Sequence, residues 1–184
     1  GYWVLRGDPR TVQWSNGVTS GGTGAPGFVL NPRDTPGRQK VLGLTSTAAA
    51  ARYQVYTAAL ENPAGKFVAP TTASMTAAAA AMTANATQPQ VVSFDPTSDK
   101  AKTAADAYPL TLPVYAATNP AGGDDASRAA AASFITYAAA DGQTPGYDLG
   151  QLPPGYAPIP DAWRTQALAA AKTIAAGPAP EPTP

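Results

Sequence analysis

YPLTLPVYAATNP (Tyr108–Pro120), SRAAAASFITYAAADGQ (Ser127–Gln143) and GQLPPGYAPIPDAWRTQALAAAKTI (Gly150–Ile174) decide the reading of the fold. Leu110–Ala117 is largely apolar, with the β-branched Thr111 and Val114 and the aromatic Tyr115, and reads as a strand. The turn Asn119–Asp125 leads to Ser127, which is placed to cap a helix carrying Ala130, Phe134 and Tyr137 on one face at i, i+4 and i+7. Gly142 is placed to stop that helix. Four prolines and three glycines between Gly146 and Pro160 make the next stretch a structured loop. Pro160 and Asp161 open a closing helix with Trp163, Ala167, Ala170 and Ile174 on its inner face, and Gly177 ends it.

Upstream, the same alternation continues. Lys40–Leu44 reads as a short strand, and Thr45, Ser46 and Thr47 supply hydroxyls where a helix through Ala48–Tyr53 needs an N-cap. Val55–Leu60 reads as a second extended segment, and Asn62-Pro63-Ala64-Gly65 as a turn into Lys66–Ala69. Pro70 breaks that extension, Thr71 or Thr72 can cap, and Ala73–Ala84 has the strongest helix propensity in the chain, with Met75 and Met82 facing inward. Val91–Phe94 reads as a further strand, and Asp95–Ala107 as a polar loop or short surface helix whose Asp99, Lys100, Lys102 and Asp106 face solvent. Strands alternating with helices predict an α/β fold, a small mixed sheet with helices packed on its faces.

The C-terminal order of strand, helix, Pro-rich turn and closing helix resembles the end of the phosphate-binding proteins that serve ABC transporters. Two upstream blocks extend the likeness: TPGRQKVLGLTSTAAAARY (Thr35–Tyr53) and ENPAGKFVAPTTASMTAAAAAM (Glu61–Met82), the second carrying an N-x-x-G-K-[FY]-V-x-P-[ST] segment. The resemblance implies a type 2 periplasmic-binding-protein-like fold without catalysis. It begins partway through the family pattern, so an N-terminal lobe is expected upstream, with 1–177 as the later part of a two-lobed protein. Residues 178–184, within GPAPEPTP, are expected to form an extended Pro-rich tail or linker.

Composition narrows the chemistry. With 12 basic and 12 acidic residues in 184, the formal net charge is zero and nucleic-acid binding through a basic face is not expected. The chain has neither Cys nor His, which removes thiolate nucleophiles, Ser-His-Asp and Cys-His constellations, and the commonest metal ligands. No apolar run approaches the ~20 residues of a membrane span, so a membrane is expected only through an anchor outside this chain. Asp124 and Asp125 are adjacent carboxylates in a Gly-rich turn, a geometry that usually points both groups to solvent; a calcium site at Asn119–Asp125 is the alternative reading. Arg6-Gly7-Asp8 matches the integrin-read tripeptide, though three common turn residues recur by chance.

The candidate anion-holding groups are hydroxyls and backbone N–H groups at Ser20, Gly21, Gly22 and Thr23 in the glycine loop, and at Thr45, Ser46 and Thr47 ahead of a helix. A family-type site also uses an Arg and ligands from the first lobe, which have no evident counterparts here. The expected function is an extracellular, periplasmic or cell-surface solute-binding domain, with phosphate or a similar oxyanion as ligand, no cofactor, and an ABC-transporter permease as a further partner. The alternative is a surface interaction or structural module that keeps the scaffold and has lost solute binding.

Overall fold

The computed structural model describes residues 13–15, 28–30 and 43–178. They fall into two units, one within Gly1–Thr57 and one within Ala58–Pro184.

In the first unit, β1 (Gln13–Ser15) and β2 (Phe28–Leu30) form an antiparallel ribbon with Trp14 opposite Val29. Helix α1 (Thr47–Arg52) follows. Ser46 is its cap: the hydroxyl accepts the Ala49 N–H at 3.1 Å. Arg52 stands in the last turn, where a cation faces the unpaired carbonyls. Of the expected strand Lys40–Leu44, positions 40–42 lie outside the described residues, and Gly43 and Leu44 join no ladder.

The second unit opens with a tight hairpin, β3 (Leu60–Glu61) against β4 (Phe67–Val68). Only Leu60 of the expected strand Val55–Leu60 enters a ladder. Helix α2 (Thr72–Ala81) is shorter than Ala73–Ala84, because Thr83 and Ala84 leave it to form β5, which pairs with β6 (Val92–Ser93). Its start is a reciprocal capping box: the Ser74 N–H donates to the Thr71 hydroxyl at 3.1 Å, and the Thr71 N–H donates to the Ser74 hydroxyl at 2.9 Å. Thr71→Ala removes half of this exchange and is expected to cost about 1 kcal/mol. Urea unfolding followed by circular dichroism measures that loss; an unchanged midpoint would leave the cap without energetic weight.

Short helix α3 (Asp99–Thr103) lies in the polar stretch, capped by Ser98. It packs near α2, and the buried apolar residues of this region are Ala78, Ala81, Ala101 and Ala107 together with the longer Met75 and Met82. Alanine faces bring backbones close but bury little area per residue, so the core is thin and leans on hydrogen bonding for its specificity.

Helices α4 (Asp125–Ala139) and α5 (Asp161–Ala176) form an antiparallel pair, with Gly177 at the end of α5 against Arg128 in the first turn of α4. Their seam is Ala132, Ala171 and Ile174, flanked by Ala131 and Ile135. The facing side of α4 therefore differs from the expected one. Phe134 is 65 % exposed and Tyr137 is also exposed, because Ala131, Ala132 and Ala139 let the helices approach along a different stripe. Ala170 likewise turns outward while Ala171 is buried. The cap of α4 is Asp124, not Ser127, which instead donates its N–H to the Asp124 carboxylate at 2.8 Å. Helix α4 stops before Gly142, and a 3-10 turn, Asp141–Gln143, follows.

The Pro-rich loop between these helices is structured, as its composition predicts. Gln143 holds it from both ends: its amide donates to the Ala138 carbonyl at 2.6 Å and its carbonyl accepts the Ile159 N–H at 2.8 Å. The Tyr137 hydroxyl donates to the Gly150 carbonyl at 3.0 Å. Gly150 has φ +86°, a conformation that favours glycine, and a Cβ there would have to displace that hydroxyl.

The expectation of one mixed sheet is corrected: among the described residues the strands form three separate two-stranded antiparallel ribbons. Prolines at 63, 70, 89 and 96 remove ladder donors close to β3, β4 and β6, which limits how far the ladders of the second unit extend. The segment Leu110–Ala117, expected as a strand, joins no ladder. The coarse class stands as helices combined with small sheets. No helix among the described residues is long and apolar enough to cross a membrane.

Candidate functional site

The N-x-x-G-K segment gives the most heavily bonded side chain of the second unit. Asn62 is 4 % exposed at the end of β3. Its Oδ1 accepts the N–H groups of Ala64 at 3.1 Å and Lys66 at 3.0 Å, fixing the hairpin turn. Its Nδ2 points the other way, to the carbonyls of Ala104, Ala105 and Ala107 at 3.1, 2.8 and 3.1 Å. One amide thus ties the β3–β4 hairpin to the chain leaving α3. Pro63 supports this by fixing the backbone directly after Asn62, and Gly65 closes the turn onto the Asn62 carbonyl at 2.9 Å. The sequence marks Asn62 only as a turn residue; its burial arises from contacts some 42 to 45 positions away.

Of the candidate anion donors, Ser20, Gly21, Gly22 and Thr23 lie outside the described residues, as does Arg6-Gly7-Asp8. At Thr45–Thr47 the Ser46 hydroxyl is engaged in capping α1, and that helix is only 6 residues long, which limits the dipole it can offer an anion. Around α2, the Thr71 and Ser74 hydroxyls are likewise engaged in the capping box, Ser74 donating onward to the Ala69 carbonyl at 2.6 Å.

Asp124 and Asp125 have separate structural duties. Asp124 caps α4, while Asp125 pairs with Arg128, whose guanidinium also donates to the Gly123 carbonyl at 2.7 Å. Hydrogen bonding from Ser127, side chain first and backbone N–H second, holds the Asp124 carboxyl below its usual range. A group whose folded pKa is depressed adds stability above its unfolded pKa of about 3.9 and loses it as pH falls through the folded value. Asp124→Asn keeps the acceptor without the charge, so the stability difference between wild type and variant should shrink on acidification. Thermal unfolding at about pH 7 and about pH 3 tests the sign; a difference that grows at low pH would contradict it. Asp95 is lowered in the same way by Thr97, whose hydroxyl and N–H both donate to it. In the Asn119–Asp125 turn, Asn119 Oδ1 accepts the Ala121 N–H at 3.0 Å, and no three acidic side chains converge at one point among the described residues.

The feature that sequence reasoning missed is apolar. Leu112 is 83 % and Val114 81 % exposed, with Leu110 and Tyr115 also open beside them. Tyr115 anchors this row to the β5–β6 ribbon: the Val92 N–H donates to its hydroxyl at 2.8 Å, and that hydroxyl lies 3.1 Å from the Val92 carbonyl. Thr111 and Pro113 are less exposed than Leu112 and Val114, so the segment alternates with the period of two expected for extended chain. The run from Ala107 to Gly123 contains no charged side chain, and that was the available signal. No protein-family model matches the chain, and neither the curated proteins nor the solved structures contain a significant match.

Proposed function

We propose that this chain is a non-catalytic interaction module on a solute-binding-type scaffold, presented on the outer side of a cell. The observation that carries this reading is the open row Leu110–Tyr115: large apolar side chains without a cover are costly in water and mark surfaces that meet another protein. Among the described residues, Ser46, Thr71, Ser74 and Asp124 spend their side-chain oxygens on helix caps. The absence of His and Cys from the sequence points the same way.

A second reading, binding of phosphate or a similar oxyanion, is favoured by the N-x-x-G-K segment, which forms a clipped hairpin followed by a capped helix, and by the order α4, Pro-rich loop, α5. Among the described residues, its candidates from the sequence are Thr45, Ser46 and Thr47, ahead of α1. Isothermal titration of phosphate and sulfate into the folded protein separates the two. The interaction module is expected to give no binding heat. Micromolar phosphate binding that Thr45→Ala/Thr47→Ala abolishes would overturn that reading in favour of oxyanion binding.

A further inference from the structure

We draw no further inference here: the strongest candidate, the open apolar row Leu110–Tyr115 beside the β5–β6 ribbon, belongs to the surface already described and nothing in the structure shows what covers it.

Discussion

Asn62→Ala is expected to destabilise the unit within Ala58–Pro184 by about 3–4 kcal/mol. Truncation strands groups on both sides of the clip. The Ala64 and Lys66 N–H groups lose their acceptor, and the carbonyls of Ala104, Ala105 and Ala107 lose their donor. A buried polar group left unpaired costs about 1–3 kcal/mol, and water entering the partly exposed side offsets a portion of the total. Asn62→Asp separates the two halves of the role. The introduced carboxylate still accepts from Ala64 and Lys66, but its second oxygen faces three carbonyl oxygens where an N–H₂ belongs. Repulsion and burial would raise the folded pKa of that carboxyl above its unfolded value of about 3.9. For an acid shifted upward, the destabilisation is full above the folded pKa and shrinks as pH falls toward the unfolded one. Urea unfolding at about pH 7 and about pH 4 is therefore expected to show Asn62→Asp regaining stability relative to wild type on acidification, and Asn62→Ala not. A constant penalty for Asn62→Asp across that range would mean that the second oxygen does not face the carbonyls.

Local signals were legible where local chemistry decides the outcome. The Ser46 and Thr71 caps, the inward Met75 and Met82, the turn at Asn62–Gly65 and the stop at Gly177 each follow from a few neighbouring residues. Strand pairing was less legible, because a strand exists only with a partner. Val92–Ser93 found one in Thr83–Ala84, whereas Leu110–Ala117, with stronger β-forming composition, has none. Pro113 removes a ladder donor within that segment, and apolar side chains alone do not supply a second backbone. The choice of α4 cap shows a different limit. Ser127 and Asp124 are both good cap residues three positions apart, and each is the other's partner: the capping carboxylate needs an N3 donor, which Ser127 provides. For the candidate site, residue type marked possible donors at Thr45–Thr47 but not that Ser46 would be engaged in the helix it precedes. Asn62 was visible only as half of its role, because the three carbonyls it binds come from beyond α3.

The helix seam provides the second large effect and decides which stripe of α4 faces its partner. Ile174 is the largest buried side chain in a cluster otherwise made of Ala132 and Ala171, with Ala131 and Ile135 at its edge. The alanine neighbours have no longer side chains to swing into a vacancy, and Ile135 stands at the edge of the cluster. Ile174→Ala should therefore leave most of its cavity unfilled and cost about 2–4 kcal/mol. Phe134→Ala is expected to cost less than about 1 kcal/mol, since most of that ring is in water and its loss opens no interior space. The simple i, i+4, i+7 pattern of Ala130, Phe134 and Tyr137 makes the opposite forecast, with Phe134 as the anchor of the pair. Chemical denaturation of the two single variants, read at constant m, distinguishes them, because a change in m would signal an altered denatured state and not a lost contact. Should Phe134→Ala prove the more damaging, the helices must pack along the Phe134 stripe, and the small-residue seam of Ala132, Ala171 and Ile174 would be wrong.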